Sequence, residues 1–122
     1  MRSRILIVDD ERDTLTAFSR LLRRLECDID VAVSIDDAAS AIDGATYRLI
    51  VTDLRLTPAT GEEGLEVLRR ARAKNGSTEV IIVTGYGSPA VMTRAFDLGA
   101  AYYFEKPVQP ARLIEAVEQL CR

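Results

Sequence analysis

Two spacings alternate along the chain. Short aliphatic and β-branched runs occur at residues 5–8, 29–33, 49–52, 80–83 and 102–105. Runs that stay apolar at nearly every position suit strands covered on both faces, as in a parallel sheet. Between them the apolar residues recur at helical steps. Leu15, Phe18, Leu21, Leu22 and Leu25 predict a first helix from about Glu11 to Leu25. Ser34 can cap a second, alanine-rich helix that ends near Gly44. Leu65, Val67, Leu68 and Ala71 mark a third. Ser88-Pro89 reads as cap and first-turn proline of a fourth, which stops at Gly99. Pro110 opens a fifth, with Leu113, Ile114, Val117 and Leu120 on its apolar face.

Five strands alternating with five helices predict an open, doubly wound α/β sheet. Right-handed crossovers then place helices on both faces. There is no repeat, low-complexity stretch or linker. The longest connection, residues 54–63, contains Pro58, Thr60 and Gly61 and has the look of a functional loop.

Composition narrows the class without changing this outline. A chain of 122 residues fits one domain, spanning 1–122, and 48% hydrophobic with 29% charged residues excludes a disordered or fibrous chain. The apolar runs are far shorter than the roughly 20 residues of a membrane span. The run after Met1-Arg2-Ser3-Arg4 is also too short for a secretory signal, so a soluble, cytoplasmic domain is expected. A net charge of -3, with the cations spread along helices, gives no footprint for nucleic acid. Cys27 and Cys121 lack the close spacing of a metal or redox motif and read as small hydrophobes. The absence of histidine excludes a Ser-His-Asp triad and histidine acid–base chemistry. Carboxylates, hydroxyls and lysine remain.

In an open α/β sheet, ligands bind beyond the carboxyl ends of the strands. Asp9, Asp10 and Glu11 follow the first strand, Asp53 the third, Thr84-Gly85 the fourth, and Lys106-Pro107 the fifth. Three aspartates, one hydroxyl and one ammonium therefore converge. Clustered carboxylates repel each other, and a hard divalent cation relieves that repulsion. Magnesium favours one or two carboxylates together with water and phosphate oxygens. A carboxylate can also attack phosphorus and give an aspartyl phosphate, with Thr84 and Lys106 on the phosphoryl oxygens. A lone acid at a strand end is usually a helix cap, and a lone Lys-Pro is usually a turn. The ordered set outweighs those readings.

The set resembles the receiver domain of two-component response regulators. The resemblance runs through Ile5-Leu6-Ile7-Val8-Asp9-Asp10-Glu11, Val51-Thr52-Asp53-Leu54, Ile82-Val83-Thr84-Gly85-Tyr86-Gly87, and Gly99-Ala100 on to Lys106-Pro107. It implies a flavodoxin-like fold with strand order 2-1-3-4-5 and a phosphorelay function, a signalling domain rather than an enzyme. By that likeness Asp53 accepts the phosphoryl group from a phosphohistidine of a sensor kinase or phosphotransfer protein. Asp10, Asp53 and the main-chain carbonyl of Arg55 would bind Mg2+ (with Mn2+ as a substitute), and Asp9 would act through a coordinated water. Thr84 and Lys106 would hold the phosphoryl group, and the Lys106-Pro107 peptide would be cis. Tyr103 matches the aromatic switch position and is expected to turn from exposed to buried. That turn would reshape a partner-binding face of the fourth helix, fifth strand and fifth helix, where Tyr102 and Arg94 are candidate members and a phosphorylation-dependent homodimer could form. Arg55 and Tyr86 would flank the approach of hydrolytic water and slow autodephosphorylation.

One departure concerns the Gly-Leu-Glu that opens the third helix. Here it is Gly64-Leu65-Glu66, in a register preferred over one that uses Gly61, and it lengthens the preceding loop by about three residues. A haloacid-dehalogenase-like phosphatase would carry Asp-x-Asp after the first strand. A flavodoxin-like electron carrier would have a hydroxyl-rich loop there, and a phosphorylation-dead adaptor would lack an acid or the lysine. The sequence meets none of these three patterns. No effector domain is expected in this chain, which either acts alone or is a fragment.

Overall fold

The computed structural model describes residues 3–56 and 62–121 of the chain. Five parallel strands form one sheet: β1 (Arg4–Val8), β2 (Asp28–Ala32), β3 (Leu49–Thr52), β4 (Glu79–Thr84) and β5 (Tyr102–Glu105). Their order is β2-β1-β3-β4-β5, the doubly wound arrangement expected. Five helices connect or follow them: α1 (Arg12–Leu22), α2 (Ile35–Gly44), α3 (Glu63–Lys74), α4 (Pro89–Asp97) and α5 (Pro110–Leu120).

Strand alternation sorts the core into two layers. Leu6, Val8, Ile50, Val80 and Ile82 face α2, α3 and α4, against Ala38, Ile42, Leu65, Leu68 and Ala95. Ile5, Ile7, Leu49, Val51, Ile81 and Val83 face α1 and α5, against Leu15, Leu22, Leu113, Ala116 and Val117. Both faces of the central strands are therefore buried, which explains their unbroken apolar runs.

Local chemistry sets the starts of three of the five helices. The Ser34 hydroxyl accepts from the Asp37 amide, and the Ser88 hydroxyl accepts from the Val91 amide. Pro89 and Pro110 open their helices, where a missing N–H is no loss. The first helix differs from expectation. It leaves α-geometry after Leu22, tightens into a 3-10 turn over Arg23–Leu25, and stops at Glu26 in left-handed conformation, φ 54°. The periodic leucines continue through that turn, so periodicity alone overran the α-helix. In α5 the fully buried residues are Leu113, Ala116 and Val117, Leu120 packs partly buried against the same layer, and Ile114 is half-buried. Pro58, Thr60 and Gly61 lie outside the described residues. The helix after that loop opens at Glu63 with Gly64 in its first turn, as the Gly64 register expects.

Candidate functional site

Strand register brings the site together. Val8 of β1 lies beside Thr52 of β3, so the residues that follow, Asp9 and Asp53, leave the sheet as neighbours. Backbone hydrogen bonds extend this pairing past the strands. The Asp53 amide donates to the Val8 carbonyl at 3.0 Å, and the Asp9 amide to the Ala32 carbonyl at 3.1 Å. On the other flank, Thr84 ends β4 opposite Glu105, and the Lys106 amide donates to the Thr84 carbonyl at 2.9 Å. Asp9, Asp53 and Thr84 are buried, whereas Asp10 is exposed.

A single ammonium joins the two flanks. Lys106 Nζ lies 2.8 Å from Asp9 Oδ2 and 2.9 Å from Asp53 Oδ2. The second oxygen of each carboxylate meets a backbone amide: Glu11 donates to Asp9 Oδ1 at 2.9 Å, and Arg55 to Asp53 Oδ1 at 3.2 Å. Burial pushes the Asp9 carboxyl above its ordinary range, and the hydrogen bonds from Lys106 and Glu11 only partly offset this. Burial alone would lower the Lys106 ammonium. The hydrogen bonds and charges of Asp9 and Asp53 together outweigh it and hold the lysine protonated above its usual value.

Three carboxylates facing one ammonium leave excess negative charge. Asp9, Asp10 and Asp53 each offer an oxygen, all within 4.8 Å of one another. An all-oxygen anionic set of this kind fits a hard divalent cation such as magnesium.

Other expected residues lie around this centre. The Thr84 hydroxyl accepts from the Tyr86 amide at 3.1 Å, which ties it to its own turn. The Arg55 guanidinium stacks over the Tyr86 ring, 4.3 Å from its centroid, so the side chains flanking Asp53 and Thr84 are paired rather than independent. The Lys106-Pro107 peptide is cis. Arg94 forms an exposed ion pair with Glu62 at 2.7 Å. Tyr102 stacks on Phe104, hydrogen-bonds Gln119, and belongs to the layer beneath α1 and α5.

Tyr103 departs from its expected starting position. Its hydroxyl is already buried, not exposed, and has no hydrogen-bond partner among the described residues. The ring packs on the layer beneath α2 to α4, at 6.4 Å from Phe96, and its hydroxyl points at Gly87. The reason is steric, since Gly87 has no side chain to occupy that space.

Two features escaped the sequence reading. Gly64 presses on the main chain of the acidic flank: a Cβ there would lie 2.1 Å from the Asp53 carbonyl oxygen. Gly87 accommodates Tyr103. Both glycines sit in quoted motifs, but what each one touches is set by tertiary packing.

A family model described as the response regulator receiver domain matches residues 5–118. The chain belongs to this family. Receiver domains work in two-component phosphorelay signalling, pair with histidine kinases and effector domains, and bind Mg2+ through an aspartate cluster. The chain is 33% identical to the transcriptional regulatory protein ResD of Bacillus subtilis over 98% of its own length and 48% of ResD. It is 31% identical to the response regulator protein PilR of Pseudomonas aeruginosa over 99% of this chain and 26% of PilR. It thus spans about half or less of these relatives. The CheY-like receiver domain of Methanospirillum hungatei superposes with a TM-score of 0.90 at 30% identity, covering 98% of this chain and 94% of that one. Among the described residues, no helix is long and apolar enough to cross a membrane.

Proposed function

We propose that Asp53 of this receiver domain is the phosphoacceptor, and that Lys106 and Thr84 hold the incoming phosphoryl group. The observation that carries this reading is the Lys106 ammonium lying between Asp9 and Asp53 at 2.8 and 2.9 Å. An Asp53 carboxylate oxygen attacks phosphorus. The bond from phosphorus to the donor's imidazole nitrogen breaks, its electron pair stays on that nitrogen, and the nitrogen takes up a proton. Lys106 can follow the charge from the carboxylate to the new phosphoryl oxygens, since both are anionic and within its reach. The Thr84 hydroxyl, bonded to its own turn before transfer, then turns its proton to a phosphoryl oxygen. Asp10, Asp53 and the Arg55 carbonyl would ligate magnesium, with Asp9 acting through water. The bound ion supplies positive charge that offsets repulsion between the carboxylates and the phosphoryl oxygens.

The donor's docking side is the groove bordered by Asp13, Thr14, Ala17, Phe18, Lys106, Pro107 and Val108. Its largely apolar wall runs directly to Lys106, so a partner helix seated there would present its imidazole beside Asp53. The output side is α4–β5–α5, where Met92 and Phe96 are exposed and Tyr103 changes its population of poses. The stacked Arg55 and Tyr86 side chains limit water's line of approach and slow the domain's own dephosphorylation. Cys27 and Cys121 are thiols rather than a disulfide, which suits a reducing cytoplasm.

Incubation with acetyl phosphate and magnesium tests this reading. The expected product carries one phosphoryl group, loses it to hydroxylamine as an acyl phosphate does, and does not form when a chelator removes the metal. Steady turnover without a protein adduct would point to a phosphatase and overturn it.

A further inference from the structure

We infer that Gly87 is a positioning residue for Tyr103, and that the missing side chain at position 87 sets the balance between inward and outward poses of this ring. The inference deepens the switch reading above and rests on it. A Cβ at position 87 would lie 1.6 Å from Tyr103 Oη and 2.8 Å from its Cζ, so an alanine there and the inward ring exclude each other. The same Cβ would lie 3.3 Å from the Thr84 γ-methyl. Thr84 and Gly87 therefore frame one slot, with Tyr103 as its occupant.

The occupant is held with little surplus. Its ring gains apolar contact in the layer beneath α2 to α4 and packs on Phe96 at an interplanar angle of 47°. Against that, its hydroxyl is buried without a partner among the described residues, and an unpaired buried donor carries the full cost of leaving water. Swinging outward returns the hydroxyl to water and gives up the ring contacts. Opposing terms of this kind make a two-position element that a small change nearby can tip. Movement of Thr84 toward a phosphoryl group widens the slot and favours the inward pose. A methyl at position 87 fills the slot and favours the outward pose. The atoms it would meet are the far end of a movable side chain rather than main chain, so the ring yields and the fold does not.

The test uses the full chain labelled with 3-fluorotyrosine and followed by fluorine NMR, the Tyr103 resonance being assigned with Tyr103→Phe. In the wild type this resonance should report a buried ring and sharpen or shift with beryllofluoride and magnesium. In Gly87→Ala it should move to a solvent-exposed position, with loss of the beryllofluoride-dependent shift, while acetyl phosphate still labels the chain as it does the wild type. A Tyr103 resonance in Gly87→Ala that matches the wild type, with and without beryllofluoride, overturns the inference even when labelling is normal. Failure of the wild type to label at all overturns the phosphoacceptor reading instead, so the two failures are distinct. Should Gly87→Ala not fold, Gly87→Ala with Tyr103→Ala must fold, because the clash is then gone. A double variant that remains unfolded also overturns the inference.

Discussion

The two flanks of the site are built differently. On the acidic flank, Asp9 and Asp53 continue strand pairing through their own amides, and Gly64 fits against the Asp53 and Leu54 main chain, with its amide donating to the Leu54 carbonyl at 2.8 Å. On the threonine–tyrosine flank, the three atoms nearest to a Cβ on the corresponding glycine, Gly87, all belong to side chains: the Tyr103 phenol and the Thr84 methyl. The first flank can change only if backbone moves; the second changes by rotation of a ring. A phosphoacceptor has to be fixed before the donor arrives, because misplacement of the attacking oxygen is costly in rate. A readout has to move after transfer. The difference between the flanks matches that division of labour.

The largest effect should follow from a methyl on the rigid flank. Gly64→Ala should cost about 3 kcal/mol, since a Cβ overlapping main chain cannot be relieved by a rotamer change. Gly87→Ala should cost about 0.5 kcal/mol or less. Urea unfolding of the two variants measures this, and equal losses would remove the distinction between flanks.

Lys106→Met sharpens the account of the acidic flank, because it deletes the cation that Asp9 and Asp53 share. Two consequences should run in opposite directions. Labelling by a phosphodonor should slow by about 100-fold, as expected when one charge-stabilising donor is lost. Magnesium affinity, read by calorimetry, should rise, since a competing positive charge has left. Slower labelling with weaker magnesium binding would mean that Lys106 supports the metal rather than competes with it.

A smaller effect is expected where the flanks meet. Arg55 on one side stacks on Tyr86 on the other, 4.3 Å from ring centroid to guanidinium. Arg55→Asn with Tyr86→Ala should shorten the phosphorylated lifetime by about tenfold or less, in keeping with a positioning rather than a chemical role. Decay of the phosphorylated form measures it, and an unchanged or longer lifetime would show that the stack does not screen water.

The smallest effect lies away from both flanks and serves as a control. Burial first, and the Asp30 carboxylate second, push the Tyr47 phenol up to about 12. Its hydroxyl donates to Asp30 Oδ2 at 2.7 Å. The unfolded phenol ionises near its ordinary value of 10.0, so folding gains from the neutral phenol below pH 10 and loses that gain as pH rises toward 12. Tyr47→Phe should therefore flatten the alkaline fall in stability and leave labelling unchanged. A fall as steep as in the wild type would assign it to other groups.

Most of the acidic flank was legible in the sequence because it depends on strand ends. Runs apolar on both faces located β1 and β3, and the residue after each run named Asp9 and Asp53; the same rule at β4 named Thr84 on the opposite flank. Helix caps at Ser34 and Ser88 were legible for a similar reason, since a cap acts within three residues. The other flank was less legible. Whether Tyr103 points in or out depends on the absent side chain at Gly87 and on Phe96 from α4, neither of them a neighbour in sequence. The same holds for the Arg55–Tyr86 stack, which joins two loops. The end of α1 was missed because Leu25 keeps helical spacing while the backbone tightens at Arg23.

The central claim is that Asp53 takes the phosphoryl group on the rigid flank. Intact-mass analysis of the wild type and Asp53→Asn, each incubated with acetyl phosphate and magnesium, tests it most directly. The account predicts one phosphoryl adduct on the wild type, mapped to the peptide containing Asp53, and none on the variant. Labelling of Asp53→Asn to the wild-type extent would contradict it.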